Sequence, residues 1–314
     1  MKKILLLGGS GFVGRHVCEQ LARAGLQPTV PTRRALNARA VQLLPGVTVL
    51  EADVHDEATL ARLLPGHDAV VNLVGVLHGS ERRFQRAHVE LPRRLARAMH
   101  AAGVRRLVHI SALGASADGP SRYQRSKAAG EAVLREAGLE LTLLRPSVMF
   151  GAGDNFFNLF ARLQAAMPLM LLPGATSRLQ PVWVGDVARA VLRCLQDPAT
   201  AGQTYELAGP RVCTLRELVQ IAGRLSGHPR PVIGLPLALG YPQALLLQSL
   251  PGEPLMSTDN LASLQVDNVP SGQLPGLAEL GITPAPLEPT VAAYLDLPGL
   301  ADPLLALRRR HPRG

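Results

Sequence analysis

In the run Tyr123-Gln124-Arg125-Ser126-Lys127, a phenol and an ammonium stand four residues apart, which puts both on one face of any helix that contains them. Such a pair can do acid–base chemistry. A nearby positive charge lowers the phenol's pKa, so the tyrosine can give or take a proton while a hydride moves to or from a carbonyl. The ammonium can also hydrogen-bond a ribose. The spacing alone would equally suit an ordinary surface pair, but composition singles it out: of 33 basic residues only Lys2, Lys3 and Lys127 are lysines. A planar guanidinium cannot replace a compact ammonium that must reach and tune a phenol.

The segment Gly8-Gly9-Ser10-Gly11-Phe12-Val13-Gly14 carries a second chemistry, with glycines at its first, fourth and seventh positions. Placed between a strand and a helix, such glycines allow a tight bend, close approach of backbone to a pyrophosphate, and close helix-to-sheet packing. The helix start supplies N–H donors and a favourable dipole. A structural strand-to-helix turn is the plainer alternative, and position 8 of an alternating β/α chain favours a dinucleotide. Nucleotide preference is read at the end of the second strand, where Pro31-Thr32-Arg33-Arg34 offers guanidinium groups and no acid. Arg33 and Arg34 suit a 2′-phosphate, which favours NADP(H) over NAD(H). Asp53 and Val54 close the third strand, where the carboxylate can hold an adenine edge or instead N-cap a helix over 55–64. Asn72 with Leu73, Val74 and Gly75 closes the fourth, beside the crevice of a doubly wound sheet.

Short β-rich runs alternate with helical patterns through the first half, the mark of a parallel sheet covered on both faces. Strands are expected over 3–7, 27–31, 48–51, 69–74, 106–110 and 142–144, and helices over 13–24, 84–102 and 123–136. Gly25, Gly103 and Gly138 stand where those helices should end. The expected fold is a Rossmann-type doubly wound parallel α/β sheet over residues 1–150. A mixed α/β cap is expected over 151–314, with later segments returning to the sheet. In that second half Pro and Gly become frequent, and strands over 180–184 and 204–207 look isolated.

With 47% hydrophobic and 18% charged residues among 314, the chain is no disordered polymer. Its formal charge of +9 comes from arginines spread along the chain, and aromatics make up 4%, so no nucleic-acid platform is expected. Cys18, Cys194 and Cys213 stand far apart, which argues against a disulfide framework or a metal site. The apolar start ends at Gly8 with no cleavage site behind it, so export is not expected and the cytoplasm is. Residues 235–250 are apolar but interrupted by Pro236, Gly240 and Pro242. With Arg308-Arg309-Arg310 they allow a peripheral membrane contact without a spanning helix.

Together these residues resemble the extended branch of the short-chain dehydrogenase/reductase superfamily, whose glycine loop, strand-four Asn-x-x-Gly and Tyr-x-x-x-Lys have counterparts along nearly the whole chain. Further segments carry the likeness: Leu144-Arg145-Pro146-Ser147-Val148-Met149-Phe150-Gly151, Asp154-Asn155-Phe156-Phe157-Asn158, Pro181-Val182-Trp183-Val184-Gly185-Asp186, Ile110-Ser111-Ala112-Leu113-Gly114, Thr258-Asp259-Asn260 and Asp267-Asn268-Val269. They are similar to an atypical subgroup that contains the nucleotide-binding accessory subunit of mitochondrial respiratory complex I. The resemblance implies a tightly held NADPH, with Pro146 and Lys127 among its contacts, and for the mitochondrial member a structural role. Two departures stand out. Leu7 replaces the usual threonine before the first glycine. Leu113 occupies the place of the family's catalytic hydroxyl, which leaves Ser111, Ser116 or Ser121 as stand-ins beside Tyr123 and Lys127. His78 and His88 could line a substrate pocket, although ordinary hydrogen-bonded histidines are the commoner case. Three functions are thus expected: a reductase of a carbonyl or quinone-like substrate, or an assembly factor for a respiratory or quinone-related complex; a non-catalytic interaction protein stabilised by NADPH; and a sugar-nucleotide epimerase or dehydratase.

Overall fold

Lys3–Leu7 forms the first strand, β1, and its pleat sorts the core: Ile4 and Leu6 pack to one face of the sheet, Leu5 and Leu7 to the other. The computed structural model describes residues 1–248 and 256–295. After β1 come α1 (Phe12–Arg23), β2 (Gln27–Thr32), α2 (Arg39–Gln42), β3 (Thr48–Glu51), α3 (Glu57–Leu63) and β4 (Ala69–Asn72). Next are α4 (Glu81–Gln85), α5 (Leu91–Ala101), β5 (Arg106–Ile110), α6 (Arg122–Glu136) and β6 (Glu140–Pro146). The later elements are β7 (Met149–Phe150), α7 (Phe157–Ala166), β8 (Met170–Pro173), β9 (Arg178–Leu179), β10 (Val182–Trp183), α8 (Val184–Gln196), β11 (Thr204–Leu207), β12 (Cys213–Thr214), α9 (Leu215–Leu225), β13 (Val232–Leu235), α10 (Leu237–Gln248), α11 (Thr258–Ser263) and α12 (Leu287–Ala292).

Seven parallel strands make one sheet in the order β11-β6-β5-β4-β1-β2-β3. Because the chain winds one way from β1 through β3 and the other way from β4, the strand order reverses between β1 and β4, and a crevice opens at their carboxyl ends. Val17 and Leu21 of α1 and Val187 and Val191 of α8 cover one face. Leu60 of α3, Leu95 and Met99 of α5 and Leu134 of α6 cover the other. A third apolar cluster, with Phe150, Phe157, Leu218 and Val291, holds α7, α9 and α12 together.

Several expectations are corrected. Residues 204–207 are no isolated strand: Thr204 pairs with Leu143, and Leu207 with Pro146, at the sheet edge. Only Val182 and Trp183 of the run 180–184 are extended, because Val184, Val187, Ala188, Val191 and Leu195 recur at helical spacing and their valines imitate a strand. The single helix expected over 84–102 is α4, one turn of π-helix at Arg86–Glu90, and α5. Its cause is Pro92, which has no N–H to give to the carbonyl of His88 and whose ring crowds that carbonyl. In the apolar run 235–250, α10 carries Pro242 inside it; residues 249 and 250, like Arg308 to Arg310, lie outside the described residues. No helix among the described residues is long and apolar enough to cross a membrane.

Candidate functional site

Gly8 ends β1 with φ +80°, and a Cβ there would stand 3.1 to 3.2 Å from the backbone of Leu73 and Val74. The exits of β1 and β4 are thereby pressed together, and Gly75 follows within the same crevice. Gly14 is needed for packing, since a Cβ there would meet the Gly8 carbonyl at 2.3 Å. Gly11 differs. It is exposed, its φ of −81° suits any residue, and an added Cβ would approach only the Gly8 carbonyl, at 3.3 Å. As the N-cap of α1 it brings no side chain to the helix start, and the first turn holds no acidic residue. The N–H groups of the first turn, Phe12 and Val13 among them, have no partner within the helix. An open, positive helix end beside the sheet's reversal point is the cradle a pyrophosphate requires, so the residues present fit a dinucleotide.

Arg33 and Arg34 follow β2 and are both exposed, at the end of the sheet where the crevice opens. Asp53 is not the helix cap: Asp56 caps α3, accepting from the Thr59 N–H at 3.0 Å. The Asp53 carboxylate instead accepts from the His55 N–H at 3.0 Å and lies 3.7 Å from the Arg86 guanidinium. Val54 packs partly buried against the α3–α5 side of the core.

On α6, Lys127 is 5% exposed, and its ammonium donates to the Ile110 carbonyl at the end of β5, 2.8 Å away. Burial pushes its pKa down to about 8, with Glu131 acting in the other direction. Two of the three ammonium protons remain for other acceptors. A Cβ on Gly75 would be 3.9 Å from this ammonium, so lysine and strand-four exit share one space. The phenol of Tyr123 behaves otherwise than the sequence suggests: burial pushes its pKa up to about 12, and no lowering by Lys127 offsets this. It is held as an acid.

His88 is the residue whose role the sequence hid. Its Nε2 accepts from the Val76 N–H at 3.0 Å, which places the proton on Nδ1, and Nδ1 lies 2.8 Å from the Ser126 hydroxyl. Ser126 in turn donates to the Tyr123 carbonyl at 2.9 Å. A chain of hydrogen bonds thus runs from the strand-four exit to the tyrosine's own backbone, with the imidazole 5.7 Å from the Tyr123 ring, centroid to centroid. Burial and the charge of Lys127 push the His88 pKa down to about 3. His88 is therefore a neutral strut, hydrogen-bonded at both ring nitrogens, in keeping with the commoner case expected for a lone histidine. His78 stays in the loop before α4, partly buried. Asn72, buried on β4, adds a second brace by donating to His109 Nδ1 at 3.1 Å and accepting from the Val74 N–H at 3.1 Å.

Leu113 is buried, its N–H on the Pro146 carbonyl at 3.0 Å. Of the three serines offered for its missing hydroxyl, two are unsuited. Ser121 is taken up in the capping box of α6 with Gln124, and Ser116 is exposed and accepts from the Asp118 N–H at 3.3 Å. Ser111 is 3% exposed, and its hydroxyl has no hydrogen-bond partner among the described residues, so unlike the other two it is not engaged elsewhere. Although burial acts upward on the Glu131 carboxylate, Arg145 holds it below the usual range. Arg145 grips that carboxylate at 2.9 and 2.6 Å. The pair of buried Glu131 and partly buried Arg145, unforeseen from sequence, braces α6 against β6.

Residues 4–208 match the model of the NAD dependent epimerase/dehydratase family. The chain is 34% identical over 292 residues to NADH dehydrogenase (ubiquinone) 1 alpha subcomplex subunit 9, mitochondrial, of Mus musculus, covering 90% of this chain and 77% of the relative. It is 29% identical over 236 residues to the ceramide reductase of Caulobacter vibrioides, covering 74% of this chain and 73% of that one. Among solved structures, a UDP-glucuronic acid 4-epimerase from Bacillus cereus superposes with a TM-score of 0.70 at 18% identity, over 94% of this chain and 98% of its own. At that identity the likeness is one of fold.

Proposed function

We propose that this chain, which belongs to the NAD dependent epimerase/dehydratase family, holds a nicotinamide dinucleotide, NADP(H) in preference to NAD(H). We further propose that it serves a respiratory or quinone-related complex as a nucleotide-stabilised assembly protein. The observation that carries the reading is a contrast within one crevice: the helix start at Gly11 is open and Lys127 has donors to spare, while the place of the second catalytic hydroxyl is filled by buried Leu113. Gly8, Ser10, Gly11, Phe12, Val13 and Gly14 would take the pyrophosphate. Arg33 and Arg34 would take the 2′-phosphate, and Asp53 and Val54 the adenine. Leu73, Val74, Gly75 and Pro146 would wall the crevice, with Lys127 on the ribose.

The nucleotide, when bound, supplies a hydride; the proton must come from the chain. Tyr123, held as an acid, can supply it. Leu113 brings no second donor to polarise a carbonyl, and losing one such donor typically costs about 10²–10³ in rate. Slow or absent reduction of generic carbonyls follows. The intact Tyr123–Lys127 pair and the likeness to a ceramide reductase favour a reductase as the second reading.

Thermal melting tests the nucleotide. NADPH should raise the melting temperature more than NADH at equal concentration, and replacing Arg33 and Arg34 together by Ala should erase the difference. A charge-assisted hydrogen bond can account for roughly tenfold or more in affinity. Equal stabilisation of the wild type by both nucleotides would refute the preference.

A further inference from the structure

The four N–H groups at the start of α6, the helix of Tyr123 and Lys127, are all satisfied, and two of them by a residue more than a hundred positions away. Ser121 N–H donates to Gln124 Oε1 at 3.2 Å, and Gln124 N–H to Ser121 Oγ at 3.1 Å. The other two meet one carboxylate: Arg122 N–H donates to Asp259 Oδ1 at 2.8 Å, and Tyr123 N–H to Asp259 Oδ2 at 3.1 Å. Asp259 sits on α11, is 7% exposed, and also lies 3.4 Å from the Arg122 guanidinium Nε. The contrast with α1 is informative. One helix start is left open toward the crevice, and the other is closed by a buried acid from the C-terminal part.

Nine positions on, Asn268 does the same for the opposite wall. Its Oδ1 accepts from Ser147 Oγ at 2.6 Å and from the Val148 N–H at 3.2 Å, and its Nδ2 donates to the Leu113 carbonyl at 3.3 Å. Its backbone is pinned as well, N–H to the Arg178 carbonyl at 2.8 Å and carbonyl to the Gln180 N–H at 3.1 Å. A single amide side chain thus ties the exits of β5 and β6 together.

We propose that the segment 258–268 is a clasp, in which Asp259 and Asn268 are positioning residues for the nicotinamide half of the site. Asp259 fixes the turn that carries Tyr123, and Asn268 fixes the spacing between Leu113 and the strand-six exit at Pro146 to Val148. Neither residue reaches the glycine loop or Arg33 and Arg34, so the adenosine half is independent of them. The clasp rests on the dinucleotide reading above.

The test uses two ligands on the full chain: NADPH, which spans both halves, and adenosine 2′,5′-bisphosphate, which reaches the adenosine half alone. Asp259→Ala should weaken NADPH about fivefold or more, Asp259→Asn less because it keeps one acceptor, and Asn268→Ala comparably to the first. Binding of the bisphosphate should change less than about twofold in all three, which general destabilisation would not allow. Should Asp259→Ala fail to fold, the near-isosteric Asp259→Asn decides. Unchanged NADPH affinity, or a parallel loss for both ligands, overturns the clasp. A wild type that binds neither ligand overturns the dinucleotide reading and the clasp with it.

Discussion

Lys127 is kept charged close to its limit, because burial holds its pKa near 8 instead of 10.5 and, among the described residues, only the Ile110 carbonyl accepts directly from it. If its remaining protons bind the ribose, NADPH affinity should fall as pH rises through about 8, and Lys127→Ala should be weaker throughout and lack that fall. Stability moves the other way. The folded state disfavours the charged lysine, so its own contribution to stability is lost as pH falls through 8 and is fully present above the unfolded value of 10.5. Affinity measured across pH 7 to 9, beside urea melts at the same pH, separates the two. An affinity that stays level across this window would remove Lys127 from the ribose. At this scale Tyr123, Lys127 and the glycines were legible, since local spacing and the scarcity of lysine announce them. His88, Asp259 and Asn268 were not, because their partners lie 12, 136 and up to 155 residues away and nothing local records the meeting.

Between elements, α6 packs closely against the π-turn. Pro92 leaves the His88 carbonyl without its helical donor, and this carbonyl points at Gly130, where a Cβ would come within 1.9 Å of it. Glycine to alanine inside a helix ordinarily stabilises by about 1 kcal/mol. Here the sign should reverse: Gly130→Ala should lower stability by about 1–3 kcal/mol through overpacking against backbone, and should weaken NADPH by shifting Lys127. Chemical denaturation and a nucleotide titration check both parts, and a stabilised, fully binding Gly130→Ala would show that the π-turn does not set the height of α6. Pro92 was visible in the sequence as a break in a helical pattern. What it permits, a wide turn that presents His88 to Ser126, depends on a helix the pattern could not place beside it.

Across the whole molecule, the alternation of strands and helices was enough to foresee the parallel sheet, because each strand of such a sheet is buried on both faces and reads as an apolar run. A return of later segments to the sheet was expected, but Thr204–Leu207 looked isolated because it joins β6 only after a long excursion through α7 and α8. The chain after β11 returns over the sheet's carboxyl ends, where Asp259 closes the start of α6 while the start of α1 at the glycine loop stays open. Nucleotide binding depends on that opening. Gly11→Ala fills it at little cost to the fold, because the backbone there suits alanine and the added Cβ meets only one carbonyl oxygen at 3.3 Å. The decisive measurement is a calorimetric titration of nucleotide-free protein with NADPH. The wild type should show one saturable site, and Gly11→Ala should lose about tenfold or more in affinity while melting within a few degrees of the wild type. A wild type that does not bind, or a Gly11→Ala variant that binds as tightly, would contradict dinucleotide binding at the start of α1.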